Sequence, residues 1–454
     1  MKLIPVMLSA MRGEDMPHEA SRNVSVAVLG AGLGGLAAAQ RLRELGCHVE
    51  VYERNTYVGG RAYSHQVDGF VFDQGPHVSF TKRPEVRSLF AQAVEGKFLE
   101  HGAKVWNYWQ GHRIQHPAQC NLYGLPLDVV TSCVVDLAKA QHESKPMAKT
   151  YADWCFQSLG RAFSSKFVFP YTRKYWTTDA TNMSADWVGD RVYSPKLEDV
   201  VRGALGPDDK KYHYITHFRY PSRGGFGAYI QAVAANQNVQ VNHKVAMVDL
   251  QHRKLEFVSG RKAYFDVLIS SLPVPELIQR IKDVPRSVSK AAERLTCTSV
   301  VLVDVGIERN EGFPDFHWEY FYDEDIIFAR ANFLHNLSSN NVPQGCGSIQ
   351  IEVYHSKYRP LPCQDVLNRA IEDLHRVGLL RKDDRILVAE ERHIQYANVL
   401  FDLDRARNLA IIQKYLAKQG VISCGRYGEW AYYWSDDSIV SGWRAAECAK
   451  KECK

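Results

Sequence analysis

The feature that most constrains the fold is a glycine-rich turn between an apolar run and a run that favours a helix. Residues 24–29 are typical of a buried strand, residues 30–35 read G-A-G-L-G-G, and residues 36–45 predict a helix. Residues 47–52 predict a second strand, and Glu53 follows it, 23 positions after Gly30. This order of strand, glycine turn, helix, strand and acidic residue is the dinucleotide-binding start of a parallel α/β sheet.

The same residues predict how a ligand binds. We expect Gly30, Gly32, Gly34 and Gly35 to let the backbone approach a pyrophosphate at the positive N-terminus of the helix. Glu53 would accept hydrogen bonds from ribose hydroxyls. A glycine-rich turn without a ligand is the alternative, and the flanking strands, helix and acidic residue disfavour it.

Composition narrows the class of protein further. The chain has 454 residues, of which 45% are hydrophobic and 24% charged, which is ordinary for a globular protein. A formal net charge of +5 is too mild to indicate nucleic acid but suits a cleft that receives anions. The absence of a long uninterrupted apolar run predicts no membrane span. We also predict a flexible tail over residues 1–22, with a weak signal-peptide likeness as the alternative.

Ten cysteines are scattered without a C-x-x-C pair. This usage predicts reduced thiols and a cytoplasmic location, with neither a disulfide scaffold nor a metal site. The sequence is compatible with a homo-oligomer.

A second glycine motif follows six residues after Glu53 and reads G-G-R-A over residues 59–62. The combined pattern resembles the FAD-binding start of the superfamily that contains amine oxidases, protoporphyrinogen oxidases and UDP-galactopyranose mutases. The resemblance favours FAD over NAD as the cofactor. It implies that FAD also contacts five further residues: Arg54, Gly60, Arg61, Val245 and Arg426.

Segments further along the chain resemble, in one order and with similar spacings, those of eukaryotic-type UDP-galactopyranose mutases. Residues 169–176 read F-P-Y-T-R-K-Y-W against the mutase P-Y-x-x-K-x-W, and residues 187–192 read W-V-G-D-R-V against W-L-G-E-R-V. The other matching segments are residues 73–78, 113–122, 218–225, 317–320, 328–331 and 425–432. The resemblance therefore covers most of residues 24–445.

This resemblance implies an α/β fold with a Rossmann-like FAD-binding domain of the GR2 type, a helical insertion, and a mixed or antiparallel sheet in the substrate domain. We expect the FAD-binding domain to be discontinuous, over residues 23–84, 225–298 and 385–454. The helical insertion is expected over 120–190. The sheet of the substrate domain is expected over 99–119, 191–224 and 299–384.

The resemblance also implies a function. A flavin-dependent pyranose–furanose mutase acts on a UDP-sugar, and N5 of its reduced flavin attacks the anomeric carbon. NADPH or NADH is the implied reductant. By resemblance, Arg191 and Arg330 would clamp the diphosphate, and His77 would lie over the flavin near N5. Five residues are expected to line the substrate: Gln119, Trp176, Tyr320, Tyr396 and Tyr432.

Each of these residues also has a purely structural interpretation. Arg191 fits a surface ion pair, His77 a core histidine with satisfied hydrogen bonds, and Trp176 a core aromatic. The sequence departs from the mutase pattern as well. Arg61 stands where mutases carry a small apolar residue, and Pro76 replaces a glycine.

Ile215 stands in place of an asparagine that contacts the substrate in mutases, and His116 replaces an aromatic residue. These departures leave the sugar and the nucleotide open. They motivate a second hypothesis, an FAD-dependent oxidoreductase of the amine oxidase or protoporphyrinogen oxidase type, which would need an apolar tunnel or an aromatic cage. A flavin-binding protein without catalytic activity is a third.

Overall fold

The computed structural model describes residues 24–452, apart from 144, 145, 209, 211, 213, 214 and 310. The predicted tail over residues 1–22 lies outside this range.

The glycine turn belongs to a five-stranded parallel sheet. Its strands are, in spatial order, Val421–Ser423, Val267–Ser270, Ser25–Leu29, His48–Tyr52 and Val239–Gln240. The central strand, Ser25–Leu29, is almost wholly buried, as expected for a parallel strand that is covered on both faces. Helix Leu33–Glu44 follows the turn and packs on the last helix, Ser435–Glu452. The contact is close, because a Cβ on Gly442 would collide with the carbonyl oxygen of Gly34.

A larger, mixed sheet of seven strands forms the second layer. In spatial order its strands are Arg385–Ile394, Ser299–Glu308, Gly347–His355, Arg330–Asn332, Trp318–Phe321, Val105–Trp109 and His112–Gln115. All neighbouring strands are antiparallel except the pair Trp318–Phe321 and Val105–Trp109.

Alternation of side chains gives this sheet one apolar and one polar face. Ile351 and Val353 belong to an apolar cluster with helix Val366–Arg376. Glu352 lies between them in sequence and therefore faces the other way. In register, Tyr320 lies opposite Arg330, and Arg330 lies opposite Glu352. Directly opposite residues share a face, so these three polar side chains form one row on the side away from the helix.

Helices dominate residues 127–175, which follow strand His112–Gln115 in sequence. They are Leu127–His142, Tyr151–Leu159, Arg161–Phe163 and Phe169–Tyr175, with a π-helical turn over Ser164–Val168 joining the last two. Their apolar faces share a core that includes Val129, Leu137, Leu159 and Phe167.

The remaining elements connect these layers. Further helices are Pro84–Ala93, Leu197–Leu205, Gly227–Ala235, Val274–Arg280, Arg286–Arg294, Leu334–Leu337, Arg405–Lys418 and Gly425–Gly428. Short 3-10 turns span Gly60–Ala62, Ala118–Cys120, Ala180–Asn182, Gly189–Arg191 and Ser339–Asn341. Three small antiparallel groups consist of Val245–Asp249 with Lys254–Phe257 and Lys262–Tyr264, Ser64–Val67 with Phe70–Asp73, and Phe98–Gly102 with His217–Pro221. No helix within the described residues combines the length and the apolar content needed to cross a membrane.

The structure corrects two of the predicted domain boundaries. Strand Arg385–Ile394 pairs with Ser299–Glu308, so it is the edge of the seven-stranded sheet and not part of the dinucleotide-binding domain. Within 191–224, helix Leu197–Leu205 shares the core of the helical insertion through Val200, and His217–Pro221 pairs outside the seven-stranded sheet. Both differences arise because strand partners are distant in sequence, and local patterns do not reveal them.

Candidate active site

The turn after the first strand forms a cradle without side chains. Gly30 has a φ of +92°, which favours glycine, and a Cβ there would lie 2.5 Å from Ser271 Oγ. A Cβ on Gly35 would collide with the carbonyl oxygen of Gly30, whereas the Cβ position of Gly32 has no heavy atom within 4 Å. The open side at Gly32 faces outward at the start of helix Leu33–Glu44, where phosphate oxygens are stabilised.

The second glycine pair closes the same cradle. The Gly59 N–H donates to the carbonyl of Ala31 at 2.8 Å. A Cβ on Gly60 would lie 3.2 Å from Gly32 Cα, and a Cβ on Gly34 would lie 2.8 Å from Gly425 Cα. Three separate glycine segments therefore meet here, which the spacing of the motifs alone does not reveal.

Glu53 lies beside this cradle. Its buried carboxylate accepts from the backbone N–H groups of Ala31 and Asn55, both at 2.9 Å. Each carboxylate oxygen can accept a further hydrogen bond, as binding of a ribose hydroxyl requires. Arg54 is turned toward Glu276, with which it forms a 3.2 Å ion pair. Val245 begins a short strand with its side chain buried, and its carbonyl accepts from Arg280 Nε at 3.0 Å.

Buried cationic donors border the turn that follows strand Phe70–Asp73. Arg61 Nη1 and Arg426 Nε are buried and have no hydrogen-bond partner within the described structure. The other two nitrogens of Arg426 donate to the Tyr433 carbonyl at 2.7 Å and to Asn398 Oδ1 at 2.9 Å. Buried donors without a partner are costly, so an acceptor-rich group beside Arg61 and Arg426 fits this site.

His77 occupies the same turn. Its Nδ1 lies 2.8 Å from the carbonyl oxygen of Gly75, and its ring centroid lies 5.4 Å from that of Phe226. Loss of hydration, followed by the positive charge of Arg61, lowers the pKa of His77 to about 3. The imidazole is therefore neutral at neutral pH. Its neighbours are the cations of the cradle side, and it does not line the cavity described next.

A cavity of about 610 Å³ opens between the helical insertion and the polar face of the seven-stranded sheet. It gathers six of the residues predicted for catalysis or substrate binding: Gln119, Trp176, Arg191, Tyr320, Arg330 and Tyr432. Nine further aromatic side chains, none of them predicted as a site residue, also line it: Tyr151, Trp154, Phe163, Tyr171, Tyr175, Trp187, Tyr193, Tyr212 and Tyr322.

Arg191 presents an uncompensated charge to this cavity. Its guanidinium carbon lies 4.9 Å from the ring centroid of Tyr432 and 4.7 Å from that of Trp434. Nη2 donates to the Tyr432 carbonyl at 2.7 Å, and Nε is buried without a partner. Among the described side chains Arg191 forms no ion pair, so the surface salt bridge considered from the sequence is not observed.

Arg330, in contrast, has a dedicated counter-ion. Its Nε and Nη2 both donate to the carboxylate of Glu352 at 2.8 Å. The Glu352 side chain is only 2% exposed and also accepts from Tyr354 Oη at 2.9 Å. The predicted contact of Arg330 with a diphosphate stays a prediction, and the ion pair with Glu352 is an additional feature of this residue. Sequence reasoning missed Glu352, although the alternation of polar and apolar residues over 348–353 marks it as facing the polar side of its strand.

Tyr396 is the predicted substrate residue that the structure places elsewhere. Its ring packs near Tyr427 and Trp430, with centroids 6.0 and 6.3 Å away, and its hydroxyl interacts with Glu276. It follows the end of strand Arg385–Ile394, where the chain returns to the dinucleotide-binding domain. It is not among the residues that line the cavity, and its predicted contact with the substrate stays a prediction.

Two departures from the mutase pattern also have defined places. His116 lines the cavity, with its ring centroid 5.0 Å from that of Tyr320 and its Nδ1 3.0 Å from Asn107 Oδ1. Ile215 is buried in an apolar cluster with Phe218 and is not part of the cavity wall.

A parallel sheet with a glycine cradle, next to a second sheet that carries an aromatic cavity, defines an α/β protein of the dinucleotide-binding class. Residues 33–449 match the family of flavin containing amine oxidoreductases, so the chain belongs to that family. Membership implies FAD as the cofactor, and the cradle, Glu53 and the unpartnered donors of Arg61 and Arg426 fit it. The predicted α/β fold is confirmed.

Known proteins similar to this chain have different activities. A crystal structure of reduced UDP-galactopyranose mutase superposes with a TM-score of 0.90 and 26% identity, over 94% of this chain and 96% of that one. A putative protoporphyrinogen oxidase from Exiguobacterium sp. 255-15 has a TM-score of 0.74 at 14% identity, over 95% and 100% of the two chains, which shows the fold alone. A 4,4'-diapolycopene oxygenase from Methylomonas sp. is 23% identical over 441 residues, covering 81% of this chain and 84% of that protein.

Proposed function

We propose that this protein is a flavin-dependent pyranose–furanose mutase that acts on a nucleotide sugar, with UDP-galactopyranose as the first substrate to test. The observation that carries the proposal is the convergence of Arg191, Arg330, Tyr320 and Tyr432 on one cavity. Guanidinium forks and phenolic hydroxyls are suited to the oxygens of a diphosphate. The likeness to a mutase structure over nearly the whole chain supports it.

The cavity matches such a ligand in size and lining. Its volume of about 610 Å³ lies within the range of small-molecule sites. Aromatic rings provide flat surfaces for a nucleobase and for the apolar faces of a sugar. Loss of hydration in the cavity wall raises the pKa of Tyr320, so its hydroxyl stays protonated and can donate to an anion.

The residues divide the work between binding and positioning. Arg191 would bind the diphosphate and stabilise it as the leaving group, Tyr320 and Tyr432 would orient it, and Trp176 and Gln119 would line the sugar and nucleotide. When bound, reduced FAD supplies the nucleophile for the anomeric carbon, and NADPH or NADH is the proposed reductant.

On the cofactor side, Glu53 would bind the ribose and the glycine cradle the pyrophosphate. Arg61, Arg426 and the neutral His77 would border the flavin. Arg54 and Val245 would lie at the adenosine end.

The test is an anaerobic assay of the FAD-loaded protein. The enzyme is reduced with dithionite and given UDP-galactopyranose or UDP-galactofuranose, and the products are separated by chromatography. We expect interconversion that depends on reduced flavin, its near-complete loss in Arg191→Ala, and its retention in Arg385→Ala. Arg385 is a matched control, because its side chain is 72% exposed and pairs with Glu308 at the sheet edge, outside the cavity. Absence of conversion, together with no effect of UDP on the flavin spectrum, would refute the proposal.

An FAD-dependent oxidoreductase is the second candidate. The predominantly aromatic cavity wall and the G-G-R-A motif with Arg61 favour it, as does the similarity to a protein named 4,4'-diapolycopene oxygenase. Oxygen consumption with an apolar polyene or an amine, without any response to UDP, would support this candidate over the mutase.

A further inference from the structure

The arginines that border the cavity and the glycine cradle differ in whether a carboxylate pairs with them. Arg61, Arg191, Arg330 and Arg426 all lie at the cavity or at the turn beside it. Of these four arginines, only Arg330 forms an ion pair with a carboxylate of the described residues, and its partner is Glu352. Glu352 has no place in the proposed chemistry, and burial of an anion at this point needs a reason.

We infer that Glu352 is a positioning residue and the built-in counter-anion of the cavity. It fixes Arg330 in one orientation and offsets its charge, so that Arg191 supplies the net charge that attracts an anionic ligand. The inference rests on the proposed binding of a diphosphate in this cavity.

The register of the sheet makes this pairing rigid. Arg330 and Glu352 lie directly opposite each other on adjacent antiparallel strands, and Tyr320 lies opposite Arg330 on the next strand. Two parallel N–H···O bonds fix the plane of the guanidinium, and Tyr354 Oη fixes one carboxylate oxygen. Nη1 is the guanidinium nitrogen of Arg330 that does not donate to Glu352.

The other carboxylate oxygen reaches the cofactor side. A Cβ on Gly75 would lie 3.2 Å from Glu352 Oε1 and 3.6 Å from Arg61 Nη2, so the bare backbone of Gly75 packs against both groups. Gly75 has a φ of +82° and its carbonyl oxygen lies 2.8 Å from His77 Nδ1. The carboxylate of Glu352 therefore pairs with the arginine of the cavity and lies near Gly75, against which the arginine of the flavin side also packs.

A counter-anion at this position lowers the affinity of the cavity for anions. An enzyme that releases and rebinds a diphosphate within one turnover must also release its product. A lower affinity for anions prevents the site from holding the diphosphate or the product too tightly. Without Glu352, two unpaired guanidinium groups would face the ligand from the cavity wall.

The experiment measures binding of inorganic pyrophosphate, and then of UDP, to the oxidised holoenzyme by calorimetry. Glu352→Gln keeps the shape and removes the charge, and we expect about tenfold tighter binding of pyrophosphate with a steeper salt dependence. Glu308→Gln is the matched control, because it removes the same charge from a side chain that is 51% exposed on the neighbouring strand. The affinity of Glu308→Gln for pyrophosphate should equal that of the unmodified protein. Flavin content and thermal denaturation report that each variant is folded.

A second pair of variants keeps the test informative if Glu352→Gln does not fold. Arg330→Met leaves the Glu352 anion uncompensated and should weaken pyrophosphate binding by about a hundredfold or more. The double variant Arg330→Met/Glu352→Met should recover most of that loss, because it removes both charges. A purely structural Glu352 predicts no recovery.

The outcomes separate this inference from the proposed function. If pyrophosphate and UDP bind the unmodified protein but Glu352→Gln binds no more tightly, or the double variant shows no recovery, the counter-anion role is wrong and the mutase proposal is unaffected. If neither ligand binds the unmodified protein, the proposed diphosphate site fails and this inference fails with it.

Discussion

Replacement of Arg191 by methionine is the sharpest test of the site. The change keeps an unbranched side chain, although a shorter one, and removes the charge and the donor to the Tyr432 carbonyl. Because Arg191 has no ionic partner in the described structure, its whole charge is available to a ligand, unlike that of Arg330.

The magnitude follows from the geometry. A charge-assisted hydrogen bond contributes about 1.5–3 kcal/mol. A unit charge about 4 Å away contributes about 4 kcal/mol at an effective dielectric constant of about 20, which is an upper bound for this partly enclosed cavity. We expect Arg191→Met to lose about 2–4 kcal/mol of transition-state stabilisation, or about 30- to 1,000-fold in kcat/KM. The aromatic contacts with Tyr432 and Trp434 contribute about 1 kcal/mol to stability, so the variant should fold.

The assay is the anaerobic, dithionite-reduced turnover of UDP-galactopyranose, with UDP affinity measured in parallel by calorimetry. Arg191→Lys keeps the positive charge but lacks the planar guanidinium, so its kcat/KM should lie between those of Arg191→Met and the unmodified enzyme. Arg385→Met, on the exposed sheet edge, should be unchanged. A value of kcat/KM for Arg191→Met within about threefold of the unmodified enzyme would refute the reasoning.

Gly30→Ala should abolish FAD retention and lower the free energy of unfolding by about 2–4 kcal/mol, because its φ is +92° and its new methyl group would lie 2.5 Å from Ser271 Oγ; flavin content and thermal denaturation check this. The pKa of His77 is lowered to about 3 in the folded protein, whereas in the unfolded chain it is about 6.5. Between these two pH values the imidazole is protonated in the unfolded chain and neutral in the folded protein. Stability should therefore fall with decreasing pH, and His77→Gln should reduce the slope of the free energy of unfolding between pH 6 and 5 by up to about 1.4 kcal/mol per unit; equal slopes in denaturant titrations would contradict it. Tyr320→Phe should weaken UDP binding by about three- to tenfold, whereas Tyr396→Phe, outside the cavity, should leave it unchanged; the reverse order in calorimetry would exclude this assignment.

The dinucleotide-binding start was predictable because its causes are local. Gly30 needs a left-handed backbone, Gly35 must lie against a carbonyl, and both requirements are met by residues within a few positions. The strand at Ser25–Leu29 and the helix at Leu33–Glu44 follow from apolar patterning over the same short stretch. Glu53 could be assigned for the same reason, since one strand carries it back to the cradle.

The placement of the aromatic and cationic residues was predictable only through resemblance. Six of the residues implied by the mutase-like segments do converge on one cavity, although they are spread from Gln119 to Tyr432. Spacing within each segment says nothing about how the segments meet. Tyr396 shows the limit, because a short local match was not enough to place it.

The sequence by itself determined the parallel α/β start, the glycine cradle and the residue types from which an anion site is built. The tertiary structure alone decided how the charges are paired. Arg330 meets Glu352 because two antiparallel strands are aligned in one register. Among the described side chains Arg191 has no ion-pair partner, because its neighbours there are the aromatic faces of Tyr432 and Trp434. Register and long-range packing arise from many weak contacts over the whole chain, so the balance of charge in the site exists only after folding.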